Sequence, residues 1–339
     1  MRSLWIKLLE SIGTVFVESD KGSRVNMLNF SKDLYRLAFV NKIVLTYLLR
    51  VRRNEISEKL FNYHNLRLNA LMRVLTDVVQ VLDEHGFRYA VFKTLKPFRE
   101  EVADIDILCL GDETECTEII QAIGSRGYRL MERGLYCTTF EDPRYRFVTE
   151  VMVDIYREVS AGPLIYLDKR LLRDRVVICD IDSARVKVLD PIAEGLVTVG
   201  HSVVKERRII LADYLTIINY MSSMRDEQLE DFVGLARRAR LVHASRWFLT
   251  LASRIHKVVH GFIPEKLARL INELGGAVDS DISIFEQEPP FLCSKRVLVG
   301  VFAEKLGDPL FRASIISLAP WLFRGRSVYR IAELLVRKL

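Results

Sequence analysis

The sequence predicts an α+β fold, in which a small mixed sheet is flanked by helical regions, and two observations support this prediction. First, short segments rich in β-branched and aromatic residues, as strands are, occur only in the middle of the 339-residue chain. Second, the segments on either side repeat their apolar residues at the spacing of amphipathic helices. We therefore predict an N-terminal helical region at 1–86, an α/β core at 87–190 and a C-terminal helical domain at 191–339.

Composition and charge set broad limits on function. Hydrophobic residues make up 50% of the chain, which is enough for a sizeable core, and the net charge is +6 with a pI near 9.0. Such a charge suits a phosphate-rich ligand, although it would equally serve only to keep a protein dispersed. Asn and Gln are scarce while Arg, Ile, Leu and Val are plentiful, which suggests a thermophilic source.

The cysteines and the N-terminal segment bear on location. The five cysteines form no CxxC pair and lie mostly in apolar runs, which predicts reduced, buried thiols in a cytoplasmic protein. They are Cys109, Cys116, Cys137, Cys179 and Cys293. Lys7 and Glu10 interrupt the apolar run that a secretory signal would need. We see no segment apolar enough for a membrane span, so no integral membrane association is expected.

The N-terminal region is predicted to be helical from about residue 30 to residue 84. In NLRLNALMRVLTDVVQVLDEHG (65–86), Leu and Val recur at helical spacing, and Gly86 stands where the end of a helix is expected. The next segment, FRYAVFK at 87–93, is rich in aromatic residues and is predicted to be the first strand of the core.

The core is predicted to continue with a strand at 104–110 and a helix at 112–125 that Asp112 caps. Further strands are expected near 127–131, 135–140 and 147–156. Residues 175–190 have the pattern of a β-hairpin. From Pro191 onward strand signals almost vanish, and helical periodicity continues to basic amphipathic helices at the end of the chain.

Two carboxylates stand at the start of an apolar strand, in the sequence ADIDILCL at 103–110. Successive side chains along a strand alternate between its faces, so Asp104 and Asp106 share one face while Ile105 and Ile107 point to the other. Neighbouring carboxylates repel each other, and burying them is costly unless something compensates their charge. A bound divalent cation is the common physical reason for such a pair, and Mg²⁺ or Mn²⁺ would suit it.

A third carboxylate follows the same pattern in TEVMVDIYREV at 149–159. Asp154 lies in an otherwise apolar strand, on the face opposite Val153 and Ile155. On a strand next to the first one it would complete a two-metal site, and it could also accept the proton of an attacking hydroxyl. The site is predicted to consist of Asp104, Asp106 and Asp154.

The chain contains a second Asp-x-Asp, in CDIDS at 179–183, which shows how weak that pattern is alone. Asp180 and Asp182 are followed by Ser183 and Ala184 instead of an apolar run. This is the chemistry of a hairpin turn, where Asp side chains bond to their own backbone. We predict a structural role for this pair.

Together, YAVFKTLKPFREEVADIDILCL (89–110), the downstream VMVDIY and the helical segment after Asp190 resemble the nucleotidyltransferase superfamily that includes DNA polymerase β. The nearest branch is a poorly characterised family with KG…DIDLLV-type motifs, and the resemblance covers roughly residues 35–220. It implies a nucleotidyltransferase core at 87–190 and Mg²⁺-dependent transfer of a nucleoside monophosphate from an NTP to an acceptor hydroxyl, with release of pyrophosphate.

The resemblance also implies roles for individual residues. Asp104 and Asp106 would ligate the metal ions, and Asp154 would ligate the catalytic metal and help to deprotonate the acceptor. The turn at Lys93 and Thr94 would hold the β- and γ-phosphates. The family usually has Gly where Thr94 stands; Thr restricts close approach of the backbone to a phosphate, while its hydroxyl and the Lys93 ammonium remain able to bind one.

A basic segment is the remaining candidate for ligand binding. In HSVVKERRIILADY at 201–214, His201, Lys205 and Arg208 would lie on one helix face, where they could contact the triphosphate or base. An ordinary solvated helix end is an equal alternative. His256 and His260 have the helical spacing of zinc ligands but no obvious third ligand, so a structural role is favoured.

Two other functional classes stay open. The chain could be a non-catalytic module that binds nucleotide or RNA and retains only the fold. A sugar-nucleotide glycosyltransferase would also use Asp-x-Asp, but no long βαβ nucleotide-binding region precedes it here. The acceptor is not predicted: RNA, a protein side chain and a small molecule would each suit a basic cleft.

Overall fold

The computed structural model describes residues 3–16, 28–145, 149–181, 184–278 and 288–322. The helices that precede the first strand are α1 (Leu4–Ile12), α2 (Lys32–Val40), α3 (Val44–Leu48) and α4 (Glu55–Glu84). The next helix, α5 (Glu113–Ser125), comes between the second and third strands of the chain. The later helices are α6 (Pro191–Gly200), α7 (Leu211–Ser223), α8 (Asp226–Arg238), α9 (Val242–His260), α10 (Glu265–Glu273), α11 (Lys295–Lys305) and α12 (Pro309–Leu322).

The strands fall mostly between residues 89 and 189. They are β1 (Tyr89–Val91), β2 (Asp104–Cys109), β3 (Arg129–Arg133), β4 (Cys137–Glu141), β5 (Met152–Tyr156), β6 (Val159–Ala161), β7 (Leu164–Leu167), β8 (Val176–Ile181), β9 (Ala184–Leu189), β10 (Arg208–Ile209) and β11 (Phe291–Leu292). Seven of them form one mixed sheet in the order β3-β4-β5-β2-β1-β9-β8. The α+β class predicted from the sequence is confirmed.

The two strands that carry the predicted acidic residues are direct neighbours in this sheet. β2 and β5 pair in parallel, with Ile105 opposite Val153 and Asp106 opposite Asp154. β1 runs antiparallel to β2 on its other side, and β4 runs antiparallel to β5. β2 therefore lies inside the sheet, with a paired strand on each side.

Different groups of helices cover the two faces. On one face α4 and α5 pack against apolar side chains such as Ile107 and Ile155, both fully buried. On the other face Leu108 joins a larger core that contains the later helices. Within that core every residue of α6 after Pro191 is buried. The acidic side chains emerge on this second face, between the sheet and the later helices.

The first helices of the chain share this larger core with the last ones. Trp5 of α1 is fully buried, and its ring meets that of Phe291 edge to face with centroids 5.6 Å apart. α2 and α3 contribute further apolar side chains to the same cluster. Among the described helices, none has the length and apolar character needed to cross a membrane.

Most elements lie where the sequence predicts them. The helix predicted at 112–125 is α5, and the Asp112 side chain accepts a hydrogen bond from the Glu115 amide at its N-terminus. The hairpin predicted at 175–190 is β8 and β9. The short pairs β6–β7 and β10–β11 are not predicted, because runs of two to four residues carry too little periodicity. Asp182 and the last residues of the chain lie outside the described ranges.

The prediction of one helix face for His201, Lys205 and Arg208 is wrong. α6 ends at Gly200, a π-helical turn spans His201–Lys205, and Arg208 begins the short strand β10. The change of helical pitch and the strand that follows break the regular spacing on which the prediction depended.

The prediction that all five cysteines are reduced and buried is also wrong. Cys109, in the last position of β2, forms a disulfide with Cys116 in the first turns of α5. A tight connection folds α5 back onto the strand, so residues seven apart in sequence become neighbours, with Cα atoms 5.6 Å apart. Cys179 is exposed because β8 forms an edge of the sheet.

Candidate functional site

The structure brings the three predicted carboxylates together. Asp106 and Asp154 face each other across β2 and β5, and Asp104 lies on the same face two residues before Asp106. One oxygen from each of the three lies within 4.8 Å of those of the other two. We call Asp104, Asp106 and Asp154 the acidic trio. Among the described residues it is the only such cluster of potential metal ligands.

Burial and mutual repulsion make the charges of the acidic trio costly. Burial, and next to it the charge of Asp106, raise the pKa of Asp104 to about 6. Burial also raises the pKa of Asp154, although a hydrogen bond from Thr139 opposes this. A nearby positive charge most strongly stabilises carboxylates that are buried and repel one another.

Neighbouring side chains hold Asp154 in place. Thr139 lies opposite Asp154 on β4, and its hydroxyl donates to Asp154 Oδ1 at 2.6 Å. The Tyr156 hydroxyl donates to Asp154 Oδ2 at 3.4 Å. Lys205 in turn donates to the Tyr156 hydroxyl at 3.4 Å, which links the π-helical turn to the acidic trio.

The ammonium group of Lys93 forms an ion pair with one carboxylate of the acidic trio. Its Nζ is 3.1 Å from Asp106 Oδ1, and its side chain is only 11% exposed. The ammonium also lies 4.6 Å from the ring centroid of Phe92 and 4.5 Å from that of Tyr156, within the range of cation–π attraction. The backbone of Lys93 has a φ of +59°, and its amide donates to Glu194 Oε1 at 2.6 Å.

The hydroxyl of Thr94, predicted to contact a phosphate, forms hydrogen bonds within the protein in this structure. Thr94 is buried, and its hydroxyl accepts a hydrogen bond from the Asp106 amide at 2.8 Å. The same hydroxyl lies 3.3 Å from the Phe92 carbonyl oxygen, to which it donates. The hydroxyl thus donates its proton and accepts one hydrogen bond within the protein, and these two bonds fix the turn against β2.

A cavity of about 190 Å³ opens next to Asp104 and Asp106, between the sheet and the later helices. His201, Lys205 and Arg208 line it, from a π-helical turn and a strand instead of one helix face. The other charged lining residues are Lys42, Lys93, Lys96, Glu100, Glu206 and Asp213. Lysine and arginine side chains therefore share the lining of this cavity with further carboxylates.

Sequence reasoning missed several of these residues. Lys42 follows α2 with a left-handed backbone, at φ +54°, and reaches the cavity from more than 50 positions before the acidic trio. No local pattern could place it there. Tyr156 could be found, because it follows Asp154 by two positions and so lies on the same strand face.

Burial changes the charge states of the basic residues at the cavity. It lowers the pKa of His201 well below the usual value, with help from Lys93 and Lys205, so this imidazole is neutral at pH 7. Its buried Nδ1 has no hydrogen-bond partner among the described residues. Burial and the charge of Lys93 also lower the pKa of Lys205.

His256 and His260 do not form a metal site in the described part of the chain, where no third ligand approaches them. His256 is buried and its Nδ1 lies 2.9 Å from the Tyr214 hydroxyl. The two imidazole rings pack with their centroids 4.6 Å apart. This pair has the structural role that the sequence favours.

Neither protein-family models nor curated proteins match this chain. The case for a function therefore depends on the geometry of the acidic trio and on the charged cavity beside it.

Proposed function

We propose that this chain is a metal-dependent nucleotidyltransferase that transfers a nucleoside monophosphate from an NTP to an acceptor hydroxyl. The observation that carries the proposal is the convergence of Asp104, Asp106 and Asp154 from two parallel strands, with ligand oxygens within 4.8 Å of one another. A cavity with several lysines beside these carboxylates suits a polyphosphate. The acceptor is RNA, a protein side chain or a small molecule.

The residues of the acidic trio fit a divalent cation. Their carboxylate oxygens are the ligands that Mg²⁺ and Mn²⁺ prefer. In addition, Asp106 Oδ1 is buried without a hydrogen-bond partner among the described residues, although Lys93 forms an ion pair with it. When bound, such a cation neutralises charge on phosphate oxygens and positions them.

The protein's own residues account for the proton and for the leaving group. Asp154, whose pKa is raised by burial, is suited to accept the proton of the attacking hydroxyl. As the acceptor oxygen bonds to the α-phosphorus, the bond from that phosphorus to the bridging oxygen of pyrophosphate breaks. Lys205 and Arg208 line the cavity and offer positive charge to the departing pyrophosphate.

The test is transfer of label from α-³²P NTPs, with Mg²⁺, to RNA, protein and small-molecule acceptors. The wild-type protein should label an acceptor and release pyrophosphate, and Asp104→Asn should reduce the rate by about 10²-fold or more. Asp180→Asn is the matched control, because Asp180 belongs to the other Asp-x-Asp and is exposed on β8. Equal turnover by wild-type and Asp104→Asn proteins would exclude the mechanism.

The alternative is a non-catalytic module that binds nucleotide or RNA. Two contacts favour it: the Lys93 ammonium pairs with Asp106, and the Thr94 hydroxyl bonds within the protein. Calorimetry separates the two functions. A binding module would hold nucleotide equally well with and without Mg²⁺ and would release no pyrophosphate, whereas the enzyme would require the cation.

A further inference from the structure

We propose that Lys93 is a built-in counter-ion of the acidic trio that a divalent cation displaces into the adjoining cavity. This inference rests on the proposed function, because it concerns the same carboxylates. It adds a defined exchange between two states: in one the ammonium neutralises Asp106, and in the other the metal ion does so while the ammonium lies in the cavity.

The contacts of Lys93 define the first state. The ammonium lies 3.1 Å from Asp106 Oδ1 and within 4.6 Å of the ring centroids of Phe92 and Tyr156. Three buried or half-buried carboxylates without a nearby cation would strongly destabilise the fold. Lys93 supplies one positive charge to them, which offsets part of their repulsion while no metal ion is bound.

The same contacts conflict with a bound metal ion. A divalent cation on Asp106 would share the immediate surroundings of one carboxylate with an ammonium group. Like charges at such short range repel strongly where water is largely excluded. Because the ammonium carries one charge and the metal ion two, the metal ion is the stronger partner for three carboxylates.

The backbone and the cavity determine how Lys93 can move. Its amide is anchored to Glu194 Oε1 at 2.6 Å, and its neighbour Thr94 is tied to the Asp106 amide. The exchange is therefore confined to rotations of the lysine side chain. Lys93 already lines the cavity beside Asp104, so a rotated ammonium enters the space that we assign to the polyphosphate.

Nuclear magnetic resonance of ¹³C-lysine-labelled wild-type protein tests the displacement directly. The Phe92 and Tyr156 rings shift the ε-methylene signal of Lys93, and titration with Mg²⁺ should return that signal towards the value of a free lysine. Lys187 is the internal control, because its ammonium makes the same two kinds of contact with residues outside the acidic trio. Its Nζ lies 4.8 Å from the Tyr89 ring centroid and 2.7 Å from Asp83 Oδ1. Its signal should stay constant.

Calorimetric binding of Mn²⁺ provides a second readout. Lys93→Met should bind Mn²⁺ about tenfold more tightly than wild-type, and Lys96→Met, which alters another lysine of the same cavity, should change the affinity less. If wild-type protein binds the cation while the Lys93 signal does not move, or if Lys93→Met binds no more tightly, the displacement is excluded and the proposed function stands. If neither protein binds the cation, both proposals fail.

Discussion

Thr139 makes the shortest contact to a carboxylate of the acidic trio, with its hydroxyl 2.6 Å from Asp154 Oδ1. Residues that orient metal ligands commonly contribute 10- to 100-fold to metal affinity or activity. We therefore expect Thr139→Val to weaken Mn²⁺ binding by about tenfold, since it removes the donor that lowers the pKa of Asp154. Calorimetry measures this change.

Thr138→Val is the matched control for this prediction. Thr138 precedes Thr139 on β4 and points to the other face of the strand, and its buried hydroxyl has no hydrogen-bond partner among the described residues. Replacing it with an apolar residue of the same shape should leave Mn²⁺ affinity unchanged and should not lower the free energy of unfolding. Equal weakening by both variants would contradict the role of Thr139.

At the scale of elements, Glu100 joins the segment before β2 to the N-terminus of α3. Its carboxylate accepts hydrogen bonds from the amides of Leu45 and Thr46, both at 3.2 Å. Burial nevertheless raises the pKa of Glu100 to about 7, above the ordinary value of 4.5. The folded state therefore holds a proton on Glu100 at pH values where the unfolded state does not.

The sign of the pH dependence follows from this pKa. Stability that comes from the protonated Glu100 is complete below pH 4.5 and is lost as the pH rises through 7. Glu100→Gln removes this titration, so its free energy of unfolding should rise relative to wild-type, by up to about 1.4 kcal/mol per pH unit between those values. Urea denaturation from pH 4.5 to 8 measures the difference, and a constant difference would refute the prediction.

The disulfide between Cys109 and Cys116 ties β2 to α5. A cross-link that closes so short a loop is expected to stabilise the folded state by about 2–3 kcal/mol. Dithiothreitol should lower the free energy of unfolding of wild-type protein by about that amount and leave the Cys109→Ala/Cys116→Ala double variant unchanged. Urea denaturation with and without the reductant measures this, and an unaffected wild-type would mean that the disulfide does not form in solution.

Elements and residues differ in how well the sequence predicts them. The alternation of Asp104 and Asp106 with isoleucines places their side chains on one face, and the same rule places Asp154, because strand geometry is local. The ion pair of Lys93 is not predictable in this way, since it depends on a left-handed turn at φ +59°. The disulfide was not predicted, because it depends on how α5 packs against β2.

At the scale of the whole molecule, α1 and the later helices stabilise each other through one core. Trp5 is fully buried there. Trp5→Ala should lower the free energy of unfolding by about 3–5 kcal/mol, the usual cost of removing a large buried aromatic ring. Phe39→Ala is the control, because Phe39 is 54% exposed on α2 and its loss should cost about 0.5 kcal/mol or less. Thermal and urea denaturation measure both.

The cavity shows the same dependence on distant parts of the chain. Lys42 comes from the segment before the sheet, Asp104 from the sheet, and Lys205 and Arg208 from the segment after it. Local patterns identify the carboxylates on β2 and β5, but only the packing of all three parts creates the charged space beside them.

The contact between Trp5 and Phe291 has a consequence for biosynthesis. A ribosome releases α1 nearly three hundred codons before it releases the aromatic ring against which Trp5 packs. During that interval the indole lacks the aromatic ring against which it packs, so α1 reaches its final packing only after the segment that carries Phe291 has been synthesised. We therefore expect the apolar face of α1 to be open to chaperones until the segment that carries Phe291 has left the ribosome.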